Sequence, residues 1–372
     1  MKIVWYSEIK WSYLTTRKQH LLRNFPATDT ILFFQPFSLV GTNNFLPRKE
    51  GNIIYLTLPV YRKSKWSVLN KLLNTTLIRT LLYAATNIWQ RLLTRFILKQ
   101  APDLKIYSNL YFLPYWNKSD AAVWDYNDDP EQFGPQVPWA MTLLDSFLRS
   151  NSNMVMACSR FLQRKLETQY NRQVYHIPNG VDLTVFPQLR DKPLLTNRRM
   201  LGYVGVISSW FFDFDLVQKL SHAFPEYEIK LYGPVDRDAR EDLETLLNNA
   251  NVHYHAAVDH SEIPAILATF RLGLIPLKSI PQVWQAASAK YLQYLAAGIP
   301  VVATHMEQFE GFASQAYLCH THEETISAIE SALDLKSVGT IPSFVAYDWR
   351  MLGKEYHSRI TQHIEKVKGL HI

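Results

Sequence analysis

The stretch Ala289-Lys290-Tyr291-Leu292-Gln293-Tyr294-Leu295-Ala296-Ala297-Gly298-Ile299-Pro300-Val301-Val302-Ala303-Thr304 decides how the chain is read. Residues 289–297 are predicted to form a helix that ends at Gly298, the residue type best suited to the left-handed position just past a helix. Pro300 cannot extend that helix, and Val301–Thr304 reads as a short buried strand of a parallel sheet. Lys290 and Gln293 are three residues apart and so share one face near the helix start. A cation and an amide placed there can hold a diphosphate and sugar hydroxyls. The same pattern also describes an ordinary helix–turn–strand unit with a solvated lysine.

The alternation extends upstream. Leu201–Val206, Glu228–Tyr232, Val252–His255 and Leu272–Pro276 are predicted strands, with helices at Asp213–Phe224, Arg237–Asn249 and Ile263–Ala268 between them. An earlier series reads the same way. Its strands are Lys2–Tyr6, Thr30–Phe34, Asn52–Leu58, Leu104–Tyr107, Ala121–Trp124 and Asn153–Cys158. Its helices are Leu14–Asn24, two segments within 66–100, Pro138–Ser150 and Ser159–Tyr170. Strands alternating with helices imply a parallel sheet covered on both faces. The fold class is therefore α/β, with two Rossmann-like domains, 1–185 and 186–348, and a cleft between them. Turn formers between 179 and 195 mark the linker. A last amphipathic helix, about Trp349–Val367, follows a long loop; segment 349–372 is expected to pack back on the first domain.

Composition narrows the classes. Apolar types make up 47% of the 372 residues and charged types 19%, which excludes general disorder. No window of 18 residues is apolar and free of charge, so no transmembrane helix is expected. The opening MKIVWYSEIKW is interrupted by Glu8 and Lys10 and does not read as a secretory signal. Two cysteines, Cys158 and Cys319, are too few for a disulfide framework or a cysteine zinc site. The expected location is cytoplasmic.

Charge is uneven. Residues 1–188 hold 22 Lys/Arg against 12 Asp/Glu, whereas residues 189–372 hold 17 against 21. From Gly51 to Pro102 there is no acid, while Lys63, Lys65, Arg91 and Arg95 stand among Trp66, Trp89 and many leucines. A nucleic acid or an anionic membrane surface would suit such a stretch. Leucine and tryptophan at helical spacing with flanking arginine favour the membrane interface over nucleic acid. The alternative is that the apolar face packs on the sheet.

The turn Asp125-Tyr126-Asn127-Asp128-Asp129-Pro130-Glu131 supplies the candidate base, Asp128 first, then Asp129, then Asp125. An inverting transfer needs one carboxylate to take the acceptor proton, and neighbouring carboxylates raise one another's pKa. A solvated loop capping a helix is the plain reading of the same residues. Asp213-Phe214-Asp215 is formally a DxD metal signature, but Asp213 is placed to cap a helix. His253, His255 and His260 lack a fourth ligand at zinc spacing. No metal and no cofactor are expected.

Several segments carry a family resemblance. The 289–304 stretch resembles the donor-site helix of GT-B glycosyltransferases, K-L-x-E-Y-L-A-x-G-x-P-V-V, with Gln293 where most members carry Glu. Lysine followed three later by glutamine resembles the GumK-like, xanthan-type glucuronosyltransferases, in which the pair contacts UDP. Gln285 stands where the family-4 pattern has its first glutamate, so the two-glutamate signature of retaining members is absent. His176-Ile177-Pro178-Asn179-Gly180-Val181-Asp182 is similar to the GT-B passage between domains, and Leu201-Gly202-Tyr203-Val204-Gly205-Val206 to its second-domain opening. Asn251–His255 with Val258 resembles the segment that holds the base. Trp11, Arg17, Gln19 and His20 resemble the W-x-R-x-Q-H opening of teichuronic-acid-type and GumK-like transferases.

The resemblance implies a GT-B glycosyltransferase moving sugar from a UDP-sugar to a polyprenyl-linked saccharide in bacterial surface polysaccharide synthesis, peripheral at the inner face of the cell membrane. The implied donor-binding residues are Gly205, Val206, Tyr232, Val258, Lys290 and Gln293. Arg17, Gln19 and His20 would meet acceptor or phosphate, and Lys63, Lys65, Trp66, Arg91 and Arg95 the membrane. A UDP-sugar epimerase of the same fold, or a non-catalytic membrane-surface binding protein, would share much of this pattern.

Overall fold

The computed structural model describes residues 1–12, 15–38, 42–59, 71, 75–133, 136–186, 198–286, 288–312, 316–336 and 344–369. It divides into two units. One comprises Met1–Cys158, Leu162–Ile177 and Gly353–Ile372; the other Ser159–Phe161 and Pro178–Leu352. The boundaries read from the sequence, 185/186 and 348/349, lie eight residues after and four residues before the corresponding ones here.

The first unit is built on eight strands: β1 (Lys2–Tyr6), β2 (Thr30–Pro36), β3 (Arg48–Glu50), β4 (Ile53–Leu58), β5 (Leu104–Tyr107), β6 (Ala122–Tyr126), β7 (Met154–Ala157) and β8 (Tyr175–His176). Their order is β3-β4-β2-β1-β5-β6-β7-β8. All neighbours are parallel except the edge hairpin β3–β4. β1 is central because Ile3, Val4, Trp5 and Tyr6 are apolar on both faces and wholly buried. It pairs Ile3 with Ile31 on one side and with Leu104 on the other. The direction of winding reverses between β1 and β5, and ligands enter such sheets at that reversal, outside the carboxyl ends. The helices are α1 (Arg17–Arg23), α2 (Thr76–Leu98), α3 (Pro138–Arg149) and α4 (Arg160–Tyr170). Thr76–Leu98 is one uninterrupted helix, with no glycine or proline in it; of the other segment expected within 66–100, only Lys71, which is helical, is among the described residues before 75.

The second unit has six parallel strands: β9 (Met200–Val204), β10 (Glu228–Tyr232), β11 (Val252–His255), β12 (Leu272–Ile275), β13 (Val301–Thr304) and β14 (Ala316–Cys319). The order β11-β10-β9-β12-β13-β14 is that of a dinucleotide-binding doubly wound sheet, with its reversal between β9 and β12. Its helices are α5 (Phe214–Ala223), α6 (Arg240–Leu246), α7 (Ile263–Leu267), α8 (Pro281–Trp284), α9 (Ala289–Ala296) and α10 (His322–Leu333). α9 ends at Gly298, which takes the left-handed φ of 71°. The long loop read before the last helix is a correction: it contains β14 and α10. β14 is too short and mixed to show a period. α10 had a signal, Thr321 with Glu324 three later, and the Thr321 side chain does accept from the Glu324 amide. The last helix, α11 (Trp349–Val367), belongs to the first unit from Gly353 onward. There Tyr356 stacks on Trp5 at 5.9 Å, and His357 Nε2 lies 2.8 Å from Asp29 Oδ2.

Candidate active site

In the second unit, the carboxyl ends of β9, β10 and β11 form one row. Gly205 follows β9, and its N–H donates to the Tyr232 carbonyl at the end of β10, 2.8 Å away. Gly233 follows with φ 143°, a conformation side chains rarely adopt. A Cβ there would lie 2.0 Å from the Gly205 carbonyl oxygen, so the two turns touch through backbone. Tyr203 Oη donates to the Val206 carbonyl at 2.8 Å and fixes the loop. The Lys290 side chain runs along this turn: a Cβ on Gly205 would stand 1.9 Å from Lys290 Cε. Lys290 Nζ lies 5.8 Å from the centre of the Tyr203 ring.

Lys290 is half-buried, and burial pushes its pKa below the ordinary lysine value. No carboxylate among the described residues offsets that cost. A desolvated cation without an anion is expensive unless something brings the anion. Gln293, half-buried on the same face, has no side-chain hydrogen bond among the described residues. One strand over, the Tyr232 ring stacks on His255 at 4.4 Å and 11°. Burial, with Lys230 and His253 nearby, lowers the His255 pKa, so this imidazole is neutral at pH 7. Val258 is half-buried in the loop after β11. Asp213 caps α5, its Oδ1 accepting from the Leu216 amide at 2.8 Å, while its Oδ2 lies 2.9 Å from His322 Nε2. The DxD pair is thus part of a helix start.

In the first unit, the three aspartates of the acidic turn have different surroundings. Asp125, on β6, is buried against Arg17, with Nη2 to Oδ1 at 3.3 Å and side-chain exposures of 3% and 0%. Asp129 is buried too. It pairs with Lys165 and accepts from Tyr126 Oη at 3.3 Å and the Glu131 amide at 3.2 Å. Asp128 alone of the three has no basic partner within ion-pair distance among the described residues; the Asn127 amide donates to its Oδ2 at 2.7 Å. Its outer edge is exposed, yet the protein packed around its carboxyl raises its pKa, Glu8 and Asp125 adding to the shift and Lys18 and Asn127 opposing it. The Cys158 thiol donates to the Asn127 carbonyl at 2.8 Å and tethers the turn to the end of β7.

Asp128 borders a cavity of about 380 Å³ at the winding reversal of the first sheet. Glu8, just past β1, and Ser108 and Asn109, just past β5, also line it. Glu8 and Lys18 were not singled out in the sequence, although the rule of carboxyl ends points to the residues just after Tyr6. Lys18, on α1, is buried and paired with Glu8. Burial works against its charge, but Glu8, Asp125 and Asp128 outweigh it and hold its pKa above the ordinary value. Of the neighbouring trio, Arg17 holds Asp125. Gln19 is fully buried and closes the α1 capping box with Thr16 while its Nε2 donates to the Trp11 carbonyl at 3.2 Å. His20 is half-buried on α1. Arg17 and Gln19 thus hold the turn and the helix start together.

α2 turns its apolar face outward. Leu77, Leu81, Ile88, Leu92 and Phe96 are exposed, Phe96 by 81%, at the spacing of one helix face. The buried side carries Tyr83, Gln90, Thr94 and Leu98. It is held by hydrogen bonds, from Tyr6 Oη to Gln90 Oε1 at 2.9 Å and from Tyr83 Oη to the Tyr111 carbonyl at 2.9 Å. Arg91 and Arg95 are exposed beside the apolar stripe. The reading that this apolar face packs on the sheet is therefore corrected for 76–98. Lys63, Lys65 and Trp66 lie outside the described residues. No described helix is long and apolar enough to cross a membrane.

No protein-family profile matches the chain. A curated relative, the teichuronic acid biosynthesis glycosyltransferase TuaH of Bacillus subtilis, is 25% identical over 224 residues, covering 55% of this chain and 54% of its own length. The chain thus spans about half of that relative. Among solved structures it is similar to the trehalose 6-phosphate synthase of Burkholderia multivorans, at 13% identity over 100% of this chain and 99% of that one, with TM-score 0.65. It is similar also to the sucrose-phosphate synthase of Thermosynechococcus elongatus (15%, 99% and 96%, TM-score 0.63) and to Anabaena HepE in complex with UDP (12%, 100% and 99%, TM-score 0.60). The fold is GT-B, with two Rossmann-like sheets in one chain, and in sequence the chain is similar to a glycosyltransferase over about half its length.

Proposed function

We propose that the protein is a glycosyltransferase that takes a sugar from a UDP-sugar and adds it to a saccharide acceptor. The observation that carries this is the half-buried Lys290, without an anionic partner among the described residues, laid along the Gly205 turn at the winding reversal of the second sheet. A diphosphate would supply the missing anion, and Lys290 would stabilise the charge that develops on it as the sugar leaves, without a metal. Gln293 and the 205–206 turn would hold the phosphates and ribose, and the Tyr232–His255 stack with Val258 the base. The similarity to HepE, solved with UDP and with UDP and glucose, supports UDP as the nucleotide.

The reaction would invert the anomeric carbon, with Asp128 as base: its pKa is raised, and Arg17 and Lys165 occupy the other two aspartates. The acceptor would be a polyprenyl-linked saccharide of surface polysaccharide synthesis. The outward apolar stripe of α2, with Arg91 and Arg95 beside it, supports attachment to an anionic membrane surface at the inner face of the cell membrane.

The test is a thermal-shift panel of UDP, GDP, ADP and inorganic phosphate, with EDTA throughout. UDP at 100 times its dissociation constant should stabilise by about 2.7 kcal/mol. No preference for UDP, or stabilisation only with added divalent metal, would overturn the donor reading.

A further inference from the structure

The cavity beside Asp128 has a lining of one sign. Two carboxylates open to it, those of Glu8 and Asp128, while Asp125, also in its wall, is closed off against Arg17; no lysine, arginine or histidine among the described residues lines it. The two cations of this region stand behind it: Arg17 is 5% and Lys18 2% exposed, and each is paired with a carboxylate. Two acceptor atoms are buried without a hydrogen-bond partner among the described residues, Glu8 Oε2 and Asn127 Oδ1. Donors nearby are already engaged. Asn109 Nδ2 donates to the Ser7 carbonyl at 3.1 Å, and Gln136 Nε2 to the Pro130 carbonyl at 2.9 Å. Trp124 and Tyr111 contribute ring surface to the wall.

A buried acceptor atom left without a donor costs free energy until a ligand supplies one. A further anion brought against Glu8 and Asp128 would be repelled. We infer that the part of the acceptor entering this cavity is an uncharged, hydroxyl-bearing sugar end, that Glu8 selects it by accepting a hydrogen bond from a hydroxyl next to the one facing Asp128, and that uronate or phosphate-bearing ends are refused. This rests on the reading that the cavity takes the acceptor. Lys18 is a positioning residue here: its ammonium pairs with Glu8 Oε1 and orients the carboxylate. The anionic part of a lipid-linked acceptor would then have to lie outside this cavity.

The experiment is a saturation-transfer NMR titration of the full chain saturated with UDP. The probes are the methyl glycosides of glucose, galactose and mannose, each against its own uronate. At pH 7 at least one neutral glycoside should bind about tenfold or more tightly than its uronate, the ratio expected for one hydrogen bond to a charged group. Glu8→Gln should weaken that neutral glycoside about tenfold, and because it leaves Lys18 without its anion, bring the uronate to near parity. Uronates binding as well as neutral sugars in the wild type, no binding by any neutral glycoside, or unchanged affinity in Glu8→Gln would each overturn the inference. The wild-type comparison decides even if the variant does not fold. Asp128→Ala separates the two levels. If it too leaves every affinity unchanged, the cavity is not the acceptor site; if it weakens binding while Glu8→Gln does not, only the role of Glu8 falls.

Discussion

Lys290 fills the space that a side chain on Gly205 would need: a Cβ there would lie 1.9 Å from its Cε and 2.9 Å from its Nζ. The closest contact is with the far end of a flexible side chain, and the φ of Gly205 is not left-handed, so the fold absorbs the change by moving Lys290 and by a small shift of the Tyr203 hydroxyl, which would stand 2.8 Å from the Cβ. Gly205→Ala should shift Tm by less than about 4 °C but weaken UDP about tenfold, because the ammonium is pushed off its position. Gly233→Ala should do the reverse, destabilising by about 2 kcal/mol or more, since its φ of 143° is strained and its Cβ would strike the Gly205 carbonyl oxygen at 2.0 Å. Urea melts and UDP titrations of both variants separate the two effects.

The lowered pKa of Lys290 makes UDP binding proton-linked. The free protein favours the neutral amine more than an exposed lysine does, and a bound diphosphate favours the ammonium. Between the depressed pKa and the raised one, binding should therefore take up protons, up to about one per UDP, with affinity falling as pH rises through that window. Calorimetry at pH 9 in two buffers of different ionisation enthalpy measures the uptake. Lys290→Met should abolish it and reduce the UDP thermal shift; an unchanged proton count would remove the diphosphate role.

Asp128→Asn should lower kcat by about 10²-fold or more with little change in UDP affinity, the size of general-base assistance. In the wild type, activity should fall as pH drops through a pKa that lies above the ordinary aspartate value of 3.8. Asp125→Ala should act on stability instead. It removes the buried carboxylate that faces the buried Arg17 guanidinium, and breaking a buried pair costs about 3–5 kcal/mol. A large kcat loss in a fully stable Asp125→Ala would move the base to that residue.

The helix–strand unit that carries Lys290 and Gln293 was legible because it is local. Lys290, Gln293, Gly298 and Pro300 lie within one helix–strand unit, and helix period and turn chemistry place them with no long-range information. The acidic turn was legible as a segment, but the ranking of its three carboxylates needed their partners. Arg17 is 108 residues from Asp125 and Lys165 is 36 from Asp129, and no local pattern reports such pairs. Glu8 escaped for the same reason: its meaning depends on Ser108 and Asn109, brought beside it only by the pairing of β1 with β5. The outward face of α2 could not be settled from periodicity, which gives a face but not the side on which the sheet lies.

Burial lowers the pKa of His363, on α11, from 6.5 to about 4. The folded state thus prefers neutral imidazole, and its contribution is fully present above pH 6.5 and lost as pH falls from there toward 4. The whole span is worth about 3 kcal/mol at 1.36 kcal/mol per pKa unit. His363→Gln should flatten the stability curve between those limits in urea melts. An equally steep acid slope in the variant would assign the loss to other groups.

The last prediction concerns α2. With Leu92 and Phe96 exposed and Arg91 and Arg95 beside them, the protein should sediment with vesicles containing anionic lipid and less with neutral ones. Raising salt from 0.1 M to 1 M shortens the Debye length from about 10 Å to about 3 Å and should release most of the bound protein. Arg91→Gln with Arg95→Gln should weaken binding by about 2 kcal/mol, near thirtyfold, at about 1 kcal/mol per basic residue. Leu92→Ser with Phe96→Ser removes apolar contact rather than charge, so binding should weaken while its salt dependence remains. UDP affinity should stay unchanged in both, since Lys290 and its turn belong to the other unit. Equal sedimentation with neutral and anionic vesicles would leave the arginines without a lipid role, and no sedimentation with either would mean that the exposed stripe meets another partner.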